Sequence, residues 1–154
     1  MGHNISGIIG PVDELIRFSR DSSLHPPARL TGDLGFLPLS DEHLDYLFPE
    51  QGDFDHEMTY LSAALKNALR DLTGDSVMAY IETDFFGGQG EEAAVVYNRG
   101  ECVYGPHRAP VGPISQALAL LGVVAHPTHH DAFETAGLGR HRSNEDWIEE
   151  CGAV

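Results

Sequence analysis

The sequence predicts a single α+β domain: a mainly antiparallel sheet with a central three-stranded meander and helices packed against it. Three observations lead there. Segments whose apolar residues alternate lie next to one another across short turn signals, above all between Val77 and Tyr104. Segments with helical spacing stand among them without the strict strand-helix alternation of a parallel sheet. A length of 154 residues with 42% hydrophobic content suits one core, since domains of about 100 to 150 residues are the commonest.

The meander, VMAYIETDFFGGQGEEAAVVYNRGECVY, is the centre of the prediction. A period of two sets Val77, Ala79, Ile81, Thr83 and Phe85 on one face and Met78, Tyr80, Glu82, Asp84 and Phe86 on the other. Gly87, Gly88 and Gly90 then break the chain, and Ala93 to Tyr97 form a second apolar run. Asn98-Arg99-Gly100 turns it, and Glu101 to Tyr104 returns.

Ahead of the meander, Ile5 to Ile9 alternates as a short strand that Gly10-Pro11 ends, where proline suits the first turn of a helix. Val12, Leu15 and Ile16 follow at helical spacing, with Asp13 and Glu14 at the positive end and Arg17 and Arg20 near the negative one. Ser22 to Pro27 is a loop, and Arg29 to Leu37 reads as a second strand weakened by Gly32 and Gly35. Ser40 caps a short helix carrying Leu44, Leu47 and Phe48, which Pro49 stops. The longest helix opens at Gly52-Asp53-Phe54-Asp55, and Met58, Leu61, Leu65, Ala68, Leu69 and Leu72 make its stripe before Gly74 closes it.

Beyond the meander, Gly112-Pro113 starts a helix with Ile114, Ala117, Leu118 and Leu121 inward, and Gly122 ends it. Val123 to His130 is expected as a loop and Asp131 to Ala136 as a helical turn stopped by Gly137. Ser143-Asn144-Glu145-Asp146 has the capping-box spacing that begins a last helix with Trp147, Ile148 and Cys151.

Twenty-four acidic against nine basic residues give a formal charge of −15, which opposes the phosphate neutralisation that nucleic-acid binding requires. Nucleic acid is not an expected ligand. Such a surplus steers a basic partner protein toward the surface, although it also suits a merely soluble acidic domain. No apolar run approaches the roughly 20 residues of a membrane-spanning helix. MGHNISGIIGPVDE lacks the basic start of a secretory signal, so a cytoplasmic protein is expected. Cys102 and Cys151 have no CxxC spacing and are expected as free thiols.

Several motifs bear on chemistry. In FFGGQGEE, glycines could bring backbone N–H groups to a phosphate, but Glu91 and Glu92 follow them where a phosphate site needs a helix start. A bulged hairpin or a recognition loop remains. Glu82 and Asp84, two apart on a strand face, suit an acid/base pair, a hard cation or partner contact, with a solvated sheet face as the ordinary reading. His126, His129, His130 and Asp131 put three imidazoles and a carboxylate within six residues, a set zinc could use with a further ligand. An exposed polar loop is the alternative. Arg140-His141-Arg142 is the one locally basic stretch, and internal pairing with carboxylates or helix-end carbonyls is favoured there.

Taken together, GHNISGIIG, YIETDFFGGQGEEAAVVY, PISQALALLGV and DAFETAGLGRHRSNEDW resemble a family of small acidic bacterial proteins of unassigned function. In character these are similar to the immunity proteins of bacterial toxin systems. The resemblance implies a non-catalytic binding protein, an immunity-type inhibitor that neutralises a cognate toxin through an acidic surface. The expected contacts are Glu82, Asp84, Phe86, Gly87, Gly88, Gly90, Glu91 and Glu92, with no catalytic residue, no cofactor and no membrane partner assigned. The alternative is a metal-dependent hydrolase or small-ligand-binding protein using Glu82, Asp84 and the His126 to Asp131 loop. A homo-oligomeric assembly stays open beside both.

Overall fold

The computed structural model describes residues 4–47, 63–74, 76–86, 89–124, 135–138, 141 and 143–152. Among them, six strands form one sheet: β1 (Ser6–Pro11), β2 (Ala28–Arg29), β3 (Leu34–Pro38), β4 (Val77–Phe86), β5 (Gln89–Asn98) and β6 (Glu101–Ala109). Five helices accompany them: α1 (Val12–Asp21), α2 (Asp41–Leu47), α3 (Ala63–Leu72), α4 (Pro113–Leu120) and α5 (Asn144–Gly152). The strand order is β2-β3-β1-β4-β5-β6, and every neighbouring pair is antiparallel. The α+β class and the central meander follow the sequence.

Helices cover both faces of the sheet. On one face Ile5, Ile9, Phe36, Ala79, Ile81, Ala94 and Val96 pack with Ile114, Ala117 and Leu118 of α4 and Trp147 of α5. On the other, Ile8, Leu37, Met78, Tyr80, Ala93, Val95 and Tyr97 pack with Leu15 of α1, Leu44 of α2 and Leu65 and Leu69 of α3. Two-sided burial explains the continuous apolar runs Ile8-Ile9 and Ala93 to Tyr97, which a sheet with one wet face would interrupt. Each large side chain removed from water contributes about 1.5–3 kcal/mol. Phe36 and Trp147, wholly buried, also meet edge to face at 5.1 Å.

Four expectations need correction. Arg29 to Leu37 is not one strand: Gly32, at φ 68°, turns the chain between β2 and β3, with Ala28 opposite Phe36. Gly35 stays inside β3 because its face lies against Val12, whose Cγ2 would be 3.0 Å from an added Cβ. The glycine stretch after Phe86 interrupts the meander less than expected, since β5 is already paired at Gln89 and runs through Gly90. β6 likewise continues past Tyr104 to Ala109, with shifts of register between Ala94 and Tyr97 of β5. Finally, the face carrying Glu82 is not solvated there, because Glu82 is only 5% exposed.

Side chains fasten the elements end to end. Thr73 Oγ1 donates to the Leu69 carbonyl at 2.7 Å and accepts the Gly100 N–H at 3.1 Å, tying the end of α3 to the β5–β6 turn. Glu92 of β5 accepts the Ile114 N–H at 2.7 Å, so a neighbouring strand caps α4 where Gly112 has no side chain to do so. Ser143 Oγ accepts the Asp146 N–H at 3.2 Å and caps α5 as its spacing predicts. Within α3, Leu65 and Leu69 are buried, as their stripe predicts, and Arg70 is exposed; Met58, Leu61, Phe48 and Pro49 lie outside the described residues.

Candidate functional site: the carboxylate end of the sheet

Register decides what Glu82 can do. Ser6, Glu82, Ala93 and Arg108 stand in one row across β1, β4, β5 and β6, and directly opposed residues of antiparallel strands share a face. Strands lie about 4.8 Å apart, so Arg108 is two spacings from Glu82, within reach of an extended arginine if nothing bulky stands between. The residue between is Ala93. Arg108 crosses it and places Nη2 3.3 Å from Glu82 Oε1, while the Tyr80 hydroxyl donates to Oε2 at 3.1 Å. Both carboxylate oxygens are engaged, which is what a carboxylate so far from water requires.

Asp84 follows on the same face but is exposed, directly opposite Glu91, which is exposed too. Like charges set against each other across two strands repel. Gly90 makes their approach feasible: at φ 151° its Cβ position would collide with the Asp84 carbonyl. Glu92, the fourth predicted carboxylate of the hairpin, turns to α4 instead, and burial first, then the Glu92 charge, holds the Tyr104 hydroxyl above its usual pKa. Phe86 ends β4; its side chain, Gly87 and Gly88 lie outside the described residues.

The same end of the sheet carries residues that sequence reasoning did not single out. The Ser6 N–H donates to Asn144 Oδ1 at 2.9 Å, Asn144 Nδ2 donates to Ser6 Oγ at 3.1 Å, and Ser6 Oγ donates to the Leu39 carbonyl at 2.7 Å. This network joins β1 to the start of α5. Beside it, Asn4, Ser6, Glu82, Thr83, Asp84 and Arg108 line a recess of about 70 Å³. Asn4 also lines an open groove of about 800 Å³ whose other walls are Ser40, Glu42 and His43 near α2 and Ser143, Asn144, Glu145, Ile148 and Glu149 near α5. Under the α2 wall, the rings of His25 and His43 meet at a tilt of 51° with their centres 4.8 Å apart.

No family model, no curated protein and no solved structure matches the chain. Its site is therefore read from its own geometry. His126, His129, His130, Asp131, Arg140 and Arg142 lie outside the described residues. Among the described residues no group of three or more His, Cys, Asp or Glu is placed to hold a metal ion, and no helix is long and apolar enough to cross a membrane. His141 lies 2.9 Å from Glu150 Oε1 and edge-on to Trp147 at 4.9 Å; the pairing expected of Arg140 and Arg142 falls on residues outside the described ones. Cys102 is an exposed free thiol on β6.

Alternation alone does not find Arg108: counted without interruption from Glu101 opposite Asn98 it would stand opposite Glu91, and only the register shifts between β5 and β6 set it opposite Ala93, in the row of Glu82. Nothing local points to Ser6 and Asn144, which meet across 138 positions of sequence.

Proposed function

We propose that the protein is a non-catalytic binding protein that receives a basic protein surface at the outer end of the β4–β5 hairpin. The reading belongs to the immunity-inhibitor class, in which an acidic protein neutralises a toxin by covering it. The observation that supports it is the opposed pair Asp84 and Glu91: two exposed carboxylates face each other in a chain of net charge −15, a local repulsion that a cationic partner would relieve. Glu82 serves this surface from beneath, by holding Arg108 against the sheet and leaving Asp84 and Glu91 as the outward charges. Attraction of this kind acts mainly on the rate of encounter and weakens once the Debye length falls below about 10 Å.

The test joins capture to charge neutralisation. Tagged protein at low and high salt should retain one basic protein stoichiometrically, and the Asp84→Asn/Glu91→Gln variant should retain it less while unfolding no more easily than the parent. Capture undiminished by the double variant would sink the hairpin as the contact surface. A second reading, a small-ligand or metal-dependent site, draws on the groove beside Asn4. Metal analysis of the purified protein, with stability measured before and after chelation, addresses its metal form.

A further inference from the structure

The start of α2 is closed by a reciprocal cap with an unusual member. The His43 N–H points to Ser40 Oγ at 3.4 Å, and the Ser40 N–H points back to His43 Nδ1 at 3.3 Å, with Ser40 Oγ 3.0 Å from the same nitrogen. This is the capping-box arrangement with an imidazole in the place usually held by glutamate or glutamine. The substitution matters because a backbone N–H can only donate. Nδ1 of His43 must therefore keep its lone pair, which makes the ring neutral with its hydrogen on Nε2. A glutamate holds an acceptor down to about pH 4, whereas an imidazole gives its acceptor up near pH 6.5.

The neighbouring ring is held by a donor contact, which does not itself require it to be neutral. His25 Nε2 lies 2.9 Å from the Pro38 carbonyl, an acceptor only, so that nitrogen is the donor, and its centroid is 4.8 Å from His43. Charge on one ring opposes charge on the other. A cation at the first turn of α2 also meets the positive end of the helix. The element is short: α2 has seven residues, and among its described side chains Leu44 is the buried one. Short helices with few buried contacts open first.

We propose that α2 is an acid-released clasp: protonation of the His25–His43 pair breaks the Ser40–His43 cap, loosens α2 from the sheet and so moves one wall of the groove beside Asn4. Ser40, Glu42 and His43 all line that groove, so release of the cap reaches it directly. The device needs no partner and stands apart from the reading of the hairpin.

The charged surroundings are mixed. Burial chiefly holds His25 below its usual pKa, the His43 charge adds to this, and the Pro38 carbonyl works the other way. Burial also lowers His43, against the opposing pull of Glu42. From α5, Glu145 and Glu149 share the groove with His43 and favour its cation; the end of β3 offers the uncharged Pro38 carbonyl and Ser40. With both folded values depressed, the cap is closed above about pH 6.5 and is lost as pH falls through that value toward the folded midpoints.

The experiment is amide hydrogen exchange read by NMR from pH 7.5 to 5, with both histidines titrated by their ring protons. In the parent, protection of the α2 amides should fall about tenfold for each unit by which the His43 midpoint lies below 6.5, while β4 and β5 hold. His43→Gln, which keeps an acceptor that does not titrate, should make α2 protection flat across this range, and His25→Gln should raise the His43 midpoint. Flat α2 protection in the parent while His43 titrates would overturn the proposal. So would an equal loss in His43→Gln.

Discussion

Removing the Arg108 guanidinium tests whether the row from Ser6 to Arg108 holds the sheet end together. Arg108→Ala leaves the Glu82 carboxylate, with its side chain 6% exposed, without its cation. Breaking a fully buried ion pair costs about 3–5 kcal/mol. The Arg108 side chain is 20% exposed, so water can replace part of what is lost, and about 2–3 kcal/mol is expected. At roughly 2–4 °C per kcal/mol for a chain of this size, the melting temperature should drop by about 4–12 °C. Thermal and urea unfolding at pH 7 measure it. The decisive arm is the double variant Glu82→Gln/Arg108→Ala, which removes the orphaned charge but keeps an acceptor for the Tyr80 hydroxyl. It should recover most of the loss. If Arg108→Ala shifts the melting temperature by less than about 2 °C, or the second change restores nothing, the argument from register and burial is wrong.

Two further losses follow from side chains that fasten elements. Glu92→Ala should destabilise by about 0.5–2 kcal/mol through loss of the α4 cap, whereas Glu92→Gln, which keeps an oxygen for the Ile114 N–H, should lose less; urea midpoints of the two variants compare them. Thr73→Val keeps the shape of a wholly buried side chain but strips the Leu69 carbonyl and Gly100 N–H of their shared hydroxyl, for an expected cost of about 1–3 kcal/mol, with faster exchange of the Gly100 amide as the local sign.

The strands and helices were legible because their patterns are local. Val12, Leu15 and Ile16 turn on a helix by their spacing, and Gly32 could be suspected of breaking a strand, though only the structure shows Ala28 pairing back with Phe36. What the pattern could not tell was how many faces of the sheet are covered. Alternation in Met78-Ala79-Tyr80-Ile81 sorts residues into two sets, but both sets are apolar, and the helices that bury each set lie far off in sequence. Glu82 was drawn into a wet face by this ambiguity, since a carboxylate is ordinarily the mark of solvent.

The site illustrates a harder limit, set by pairs rather than patterns. Glu82 and Asp84 are two residues apart on one face of one strand, and the sequence treats them alike. Register separates them. Opposite Glu82 stands Ala93, small enough to let Arg108 reach over it; opposite Asp84 stands Glu91, which brings a second negative charge. One carboxylate is thereby made a buried support and the other an exposed contact, by partners 7 to 26 positions away. The Ser40–His43 cap shows the opposite case: both partners lie within one turn, so the spacing was on the page, and only the imidazole in an acceptor's place disguised it. Contacts within a turn can be sought in sequence by asking what each polar side chain must donate or accept. Contacts across strands need the register first, and at this end of the sheet the register sets which charges face a partner.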